Sequence, residues 1–212
     1  MSDAAAVARD LLRIGAVALR PTAPFTWASG RLSPVYTDNR LALSFPDVRS
    51  RIADGLAALA RPLAAESIAG TATAGIPHAA LVADRLELPL CYVRASAKDH
   101  GRQNRIEGRI FPGQRAVLVE DLVSTGGSVL SAADALREAG AVPVAALAVF
   151  SYGFAEADAA FGAAGLPLHT LTTFDALVGA ARADGSLSEA DLATLADWHR
   201  DASGWSRARG GA

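Results

Sequence analysis

The chain has 212 residues, 51% of them hydrophobic, with 20 Lys and Arg against 22 Asp and Glu and a net charge of −2. That length and apolar content suit one domain with a real core and a small accessory element, and a near-balanced charge without a polybasic tract predicts no nucleic-acid partner. The lone Cys91 excludes an internal disulfide and, with four scattered histidines, a metal cluster; with no apolar run of spanning length and no secretory pattern, no membrane is expected and the location is expected to be cytoplasmic.

The first amphipathic pattern covers residues 3–14, with Val7, Leu11 and Ile14 on one face and Asp3 as cap. Pro21 and Pro24 end it. Residues 25–40 lack helical period, are punctuated by Gly30 and Pro34, and gather hydroxyls, charges and aromatics. They read as an irregular hairpin or hood over a pocket, or as an ordinary extension. The chain divides accordingly into an amino-terminal hood over 1–45 and a core over 46–212, the two forming one integrated unit.

Ser44 as cap and Pro46 in the first turn predict a helix over 46–60, with Val48, Ile52, Leu56 and Leu59 at helical spacing. A short strand over 67–70 runs into the small-residue loop 71–77 and a helix ending near Leu86, with Pro77 as its first helical residue. Such a loop suits an anion or is a tight structural turn. Residues 90–93 form the next strand, where Cys91 serves as a buried small hydrophobe. The polar stretch 94–108 breaks every period, and it and its flank collect Arg94, Lys98, His100, Arg102, Arg105 and Arg109. Its length and position predict a lid whose cations meet a ligand with several phosphates.

Residues 116–119 are apolar without polar alternation, as in a parallel strand buried on both faces. Glu120 and Asp121 follow at its carboxyl end, then Leu122 and Val123, then Ser124, Thr125, Gly126, Gly127 and Ser128 leading into a helix over 129–139 capped by Gly140. Amides in a hydroxyl-and-glycine turn, backed by a helix amino end, make a positive cradle for phosphate. Two carboxylates beside it would repel bare phosphate. They make sense if they hold hydroxyls, or a metal ion, on a ligand that also carries the phosphate, and a sugar phosphate fits. The turn is not a P-loop, because the lysine of that motif is missing.

A strand over 142–150, a helix over 155–164, a strand over 168–172 and closing helices over 175–183 and 188–199 complete the pattern, with Ser188 as a cap followed by acids. His169 and His199 read as structural, and the tail after Gly204 as frayed, anchored by Trp198 and Trp205. Strands alternating with helices predict an α/β fold, an open, mostly parallel twisted sheet with flanking helices. Ligands in such sheets bind outside the carboxyl ends of the strands, where the loops after 70, 93 and 119 gather.

The stretch 116–128 resembles the phosphoribosyl pyrophosphate signature of the type I phosphoribosyltransferases. The likeness extends further. Residues 25–30 with Ser33, Pro34, Tyr36 and Asp38–Asn39–Arg40 resemble the hood of the orotate phosphoribosyltransferases; 70–77 resembles their pyrophosphate loop; 92–101 with the return at 106–108 resembles their lid; 150–153 and Trp198 resemble the bacterial branch. A purine-salvage relative lacks such a hood, and a regulator that senses phosphoribosyl pyrophosphate would need a nucleic-acid module.

The resemblance implies transfer of ribose 5-phosphate from phosphoribosyl pyrophosphate to N1 of orotate, giving orotidine 5'-monophosphate and pyrophosphate. It assigns Arg94, Lys98 and His100 to the phosphates, Glu120 and Asp121 to the ribose hydroxyls, and Ser124 through Ser128 to the 5'-phosphate, with Leu122 and Val123 inside the binding stretch. Ser124 also meets orotate. Lys98 and Asp121 are the catalytic residues, and His100 binds phosphate or donates a proton. Magnesium is implied, held mainly through substrate oxygens without a protein ligand set. A homodimer is implied too, each lid serving the neighbouring subunit's site. Some relatives carry lysine where this chain has Ala28 and either Ala95 or Ser96, so the field around pyrophosphate is weaker here.

Overall fold

The computed structural model describes residues 4–27, 29–96 and 105–212. Helix α1 (Ala4–Arg13) turns into β1 (Val17–Leu19), and β2 (Phe25–Thr26), β3 (Leu32–Ser33) and β4 (Val35–Thr37) follow. β2 and β3 form a small antiparallel hairpin, while β4 pairs antiparallel with β1. A 3-10 turn over Asn39–Ser44 leads to α2 (Pro46–Ala60). Pro46 is the first helical residue as predicted, but Phe45 rather than Ser44 is the flanking residue, and no side chain caps the end. The 3-10 turn ends at Ser44, which leaves Phe45 at the flanking position. The predicted cap of α1, Asp3, lies outside the described residues.

Next come β5 (Ser67–Thr71), α3 (Gly75–Leu86), β6 (Leu90–Val93), β7 (Ile106–Glu107), β8 (Arg115–Val123), α4 (Gly127–Glu138) and β9 (Val142–Ser151). The chain closes with α5 (Ala155–Ala164), β10 (Leu168–Thr173), α6 (Phe174–Ala183), α7 (Glu189–Arg200) and α8 (Ala202–Arg207). Ser188 caps α7 in a reciprocal capping box with Asp191. The main sheet has 6 strands in the order β10-β9-β8-β5-β6-β7. Every pairing is parallel except that of β7 with β6. The expected open, mostly parallel sheet is therefore what forms.

The run at the start of β8 explains why the sheet is sandwiched. Val117 and Val119 point into the cluster shared with α1, α2, α3 and α6, whereas Ala116 and Leu118 point into the cluster shared with α4 and α5. Successive strand residues alternate faces, and both faces are covered, so every position is apolar. Cys91 is buried at 1% exposure.

Several boundaries differ from expectation. α3 begins at Gly75, so Pro77 stands inside its first turn, where its missing N–H still costs nothing. The stretch after Val93 is not wholly irregular, since Ile106 and Glu107 return to pair with Val93 and Tyr92. β8 continues past the acid pair to Val123 because β9 keeps pairing with it, Glu120 opposite Ala148 and Val123 opposite Ser151. The tail is packed rather than frayed: Trp205 is buried, Ser206 Oγ accepts from Leu32 N at 2.9 Å, and Ala212 N donates to Gly30 O at 3.1 Å. The hood supplies backbone partners that local sequence does not reveal.

Candidate active site at the carboxyl edge of the sheet

β8 carries Glu120 and Asp121 to the sheet edge. Glu120 is buried, and its Oε1 accepts the Asp121 amide at 3.0 Å. Burial, then the neighbouring Asp121 carboxylate, pushes the Glu120 carboxyl far above the ordinary range. Asp121 is half-buried, and its main-chain carbonyl accepts Asn39 Nδ2 at 2.7 Å. The side chain of Leu122 packs against the core and Val123 is buried within it. The buried Val123 can meet a ligand only through its main chain, and its carbonyl already accepts Tyr152 N at 3.0 Å.

Ser124, Thr125 and Gly126 form the turn that follows. Gly126 adopts φ +84, and a Cβ there would lie 2.6 Å from the Phe161 ring, so this position requires glycine. α4 starts at Gly127, with Thr125, Gly127 and Ser128 exposed around its amino end. Unpaired amides of a helix start point outward here, and they favour negative charge.

The loop after β5 packs directly against this acid pair. A Cβ on Gly75 would collide with the Val119 carbonyl and would approach Glu120 Cα at 3.2 Å. The absence of that carbon lets the start of α3 close on β8. Ala72 N donates to Val93 O at 2.9 Å. Both ring nitrogens of His78 and Asn39 Oδ1 are buried without a hydrogen-bond partner among the described residues, and the buried Thr71 hydroxyl faces the Glu120 carboxyl. Burial lowers the His78 pKa and keeps it neutral, although the Asp121 charge opposes the shift.

Arg94 stands at the end of β6. Its amide donates to Arg105 O at 2.8 Å, and its guanidinium lies 3.8 Å from Glu107, too far for a hydrogen bond. A cavity of about 100 Å3 brings Thr71, Arg94, Arg105 and Ser128 together. The structure thus gathers Arg94 with Ser128 of the 124–128 turn. Lys98 and His100, with Arg102 and Ala28, lie outside the described residues.

On the opposite side, the hood meets the loop after β9. Tyr152 is buried, and its hydroxyl lies 3.0 Å from Thr37 Oγ1. Its ring stacks on Phe154 at 5.3 Å. His199 Nε2 lies 2.6 Å from Tyr152 O, and its ring stacks between Phe154 and Phe174. That arrangement agrees with a structural histidine. A cavity of about 250 Å3 runs from Trp27 and Arg31 of the hood to Ser124 and Thr125. Sequence reasoning placed Ser124 here and put Asn39 in the hood and Thr71 in the loop 70–77, but missed Phe154. Asn39 opens the 3-10 turn after β4 and Thr71 ends β5.

Comparisons with known proteins converge on one family. The phosphoribosyl transferase domain model matches residues 51–158. An orotate phosphoribosyltransferase of Bacillus caldolyticus is 54% identical over 201 residues, covering 94% of this chain and 97% of that protein. Another, of Bacillus subtilis strain 168, is 52% identical over 197 residues, covering 92% and 91%. Among solved structures, orotate phosphoribosyltransferase from Aeropyrum pernix superposes with a TM-score of 0.74 at 32% identity, covering 86% of this chain and 99% of that one. UMP synthase of Leishmania donovani gives a TM-score of 0.79 at 26% identity; it covers 92% of this chain, which spans only 42% of that longer protein.

Proposed function

The chain belongs to the orotate phosphoribosyltransferases, and from that membership we propose how its own residues divide the two substrates. The reaction is a pentosyl transfer in pyrimidine biosynthesis: ribose 5-phosphate passes from phosphoribosyl pyrophosphate to orotate, giving orotidine 5'-monophosphate and pyrophosphate. N1 of orotate bonds to the anomeric carbon as the carbon–oxygen bond to pyrophosphate breaks.

Glu120 and Asp121 hold the ribose hydroxyls, and Asp121 is the catalytic member of the pair because it is the less buried carboxylate. Ser124 through Ser128 receive the 5'-phosphate on the turn and the start of α4, with Leu122 and Val123 contributing main chain. Arg94 meets the pyrophosphate, together with Lys98 and His100 of the lid. Lys98 stabilises charge on the departing group while the sugar is held still. Ser124 also touches orotate. The observation that carries this assignment is the junction of the two loops at Glu120: the Gly75 turn and the acid pair are in contact, so one sugar reaches both cradles.

The donors fit magnesium, since the carboxylates are hard oxygens, while no group of three His, Cys, Asp or Glu able to hold a metal occurs among the described residues. The ion would be held chiefly through substrate oxygens on the hydroxyls that Glu120 and Asp121 bind, and when bound it neutralises charge on the pyrophosphate. The likeness of residues 92–101 to the family's lid supports a homodimer in which each lid serves the neighbouring site. The division into a hood over 1–45 and a core over 46–212 follows the site, the hood covering the base and the core holding the donor. The lone cysteine, kept as a buried thiol, supports a cytoplasmic setting.

Purified protein mixed with phosphoribosyl pyrophosphate, magnesium and orotate should deplete the near-ultraviolet absorbance of orotate. Folded protein that turns over adenine or hypoxanthine but not orotate would overturn the reading.

A further inference from the structure

A displacement at carbon places the incoming and departing groups on opposite sides of the reacting atom. With pyrophosphate on the loop after β5, the base must approach from the other flank of β8. The strand order puts β9 on that flank. The loop after β9, the hood and the start of α8 enclose the cavity of about 250 Å3 that opens onto Ser124 and Thr125. Trp27, Phe154 and Trp198 line it, giving flat apolar walls suited to a planar ring.

The charges around the cavity are mixed. Glu156 and Asp201 line it, so an anionic base enters only where a cation offsets them. Three basic side chains are candidates: Arg31, His199 and Arg200. His199 is committed, its Nε2 to Tyr152 O at 2.6 Å and its ring between two phenylalanines. Arg200 is tied to Asp197 at 3.1 Å and is three-quarters exposed, with 75% of its side chain in solvent. The Arg31 guanidinium makes no ion pair or side-chain hydrogen bond among the described residues. Its backbone is nevertheless held in place. The Arg31 carbonyl accepts Trp27 N at 2.8 Å, and the adjoining Gly30 and Leu32 are fastened to the carboxyl-terminal tail at 3.1 and 2.9 Å. A cation on an anchored turn, at the mouth of an aromatic cavity, has a defined position and a charge still to be paired.

We propose that Arg31 receives the carboxylate of the incoming base across this cavity from Ser124, and so makes the enzyme select orotate over the uncharged uracil ring. This rests on the site assignment given under Proposed function and extends it to the base. Orotate differs from uracil only in its carboxylate. A guanidinium matches that group with two parallel donors, which an ammonium does not.

The test compares wild type, Arg31→Gln and Arg31→Lys with orotate and uracil as acceptors. Arg31→Gln should raise KM for orotate by about tenfold or more, the scale of a lost hydrogen bond to a charged group. KM for phosphoribosyl pyrophosphate and uracil turnover should stay within about twofold, with Arg31→Lys intermediate. Titration with orotidine 5'-monophosphate and with UMP provides a readout that needs no catalysis. The substitution should weaken the first and spare the second. An unchanged orotate-to-uracil ratio, or equal weakening of both nucleotides, overturns the Arg31 assignment. Failure of the unaltered enzyme to consume orotate would instead overturn the reading of the whole site.

Discussion

Asn39 of the hood donates its side-chain amide to the main-chain carbonyl of Asp121 at 2.7 Å, and the two residues are 82 positions apart in the chain. The register of β5 with β8 ends at Val119, so this carbonyl lies beyond the neighbouring strand. Asn39 takes that strand's place. It joins the hood to the strand end that carries the acid pair. Asn39→Ala should therefore reduce stability by about 1–2 kcal/mol in urea unfolding, since it strands a polar group that is only partly wet. It should also lower kcat/KM for orotate. A variant that loses stability but keeps full kcat/KM would show that the hood's anchoring does not matter to the site.

Glu120 is a stability liability that follows from its place in the site. Its folded pKa is raised, by burial first and Asp121 second. The native state thus binds the proton more tightly than the unfolded state does. Stability is undiminished below the ordinary glutamate value and declines as pH rises from there toward the raised folded value. Glu120→Gln removes the titration. The ligand-free variant should melt above wild type at pH 8, with the gap closing toward pH 4, while turnover falls. A Tm difference independent of pH would remove the titration of Glu120 as its cause.

The glycines of the two cradles should respond differently from their neighbours. At Gly75 an added methyl meets the Val119 carbonyl, which is sheet backbone and cannot yield. Gly75→Ala should push the loop after β5 off Glu120, costing roughly 1–3 kcal/mol and weakening phosphoribosyl pyrophosphate binding by about tenfold or more. Gly126→Ala adds strain at φ +84 to a contact with Phe161. At Gly127 no heavy atom lies within 4 Å of the added carbon. Gly127→Ala should therefore leave Tm nearly unchanged. Equal Tm losses at all the positions would contradict the packing argument.

Lys98→Ala should lower turnover by about a hundredfold or more, the scale of a lost transition-state charge contact, with Tm unchanged. Mixing Lys98→Ala with Asp121→Asn subunits should restore part of the activity if each lid serves the partner's site. Heterodimers shown to form by mass but lacking activity would favour a site built within one chain.

The sequence by itself determined the stretch from β8 through the turn into α4. The apolar run of β8, the acid pair after it and the hydroxyl-glycine turn that opens α4 are contiguous, and local chemistry dictates each: a strand buried on both faces, two acids at its carboxyl end, a glycine turn at a helix start. Its helix and strand pattern was readable for the same reason, since periodicity and caps such as Ser188 act within a few residues. Tertiary structure decided the rest. Closure of Gly75 on Val119, attachment of Asn39 to Asp121, docking of Ser206 and Ala212 on the hood, and enclosure of a cavity by Trp27, Arg31, Ser124 and Phe154 all join residues far apart in the chain. Such contacts depend on which surfaces the folded core brings together. No local propensity encodes them: Ser44 looked like a cap until a 3-10 turn took it up, and the tail looked frayed until the hood gave its backbone partners.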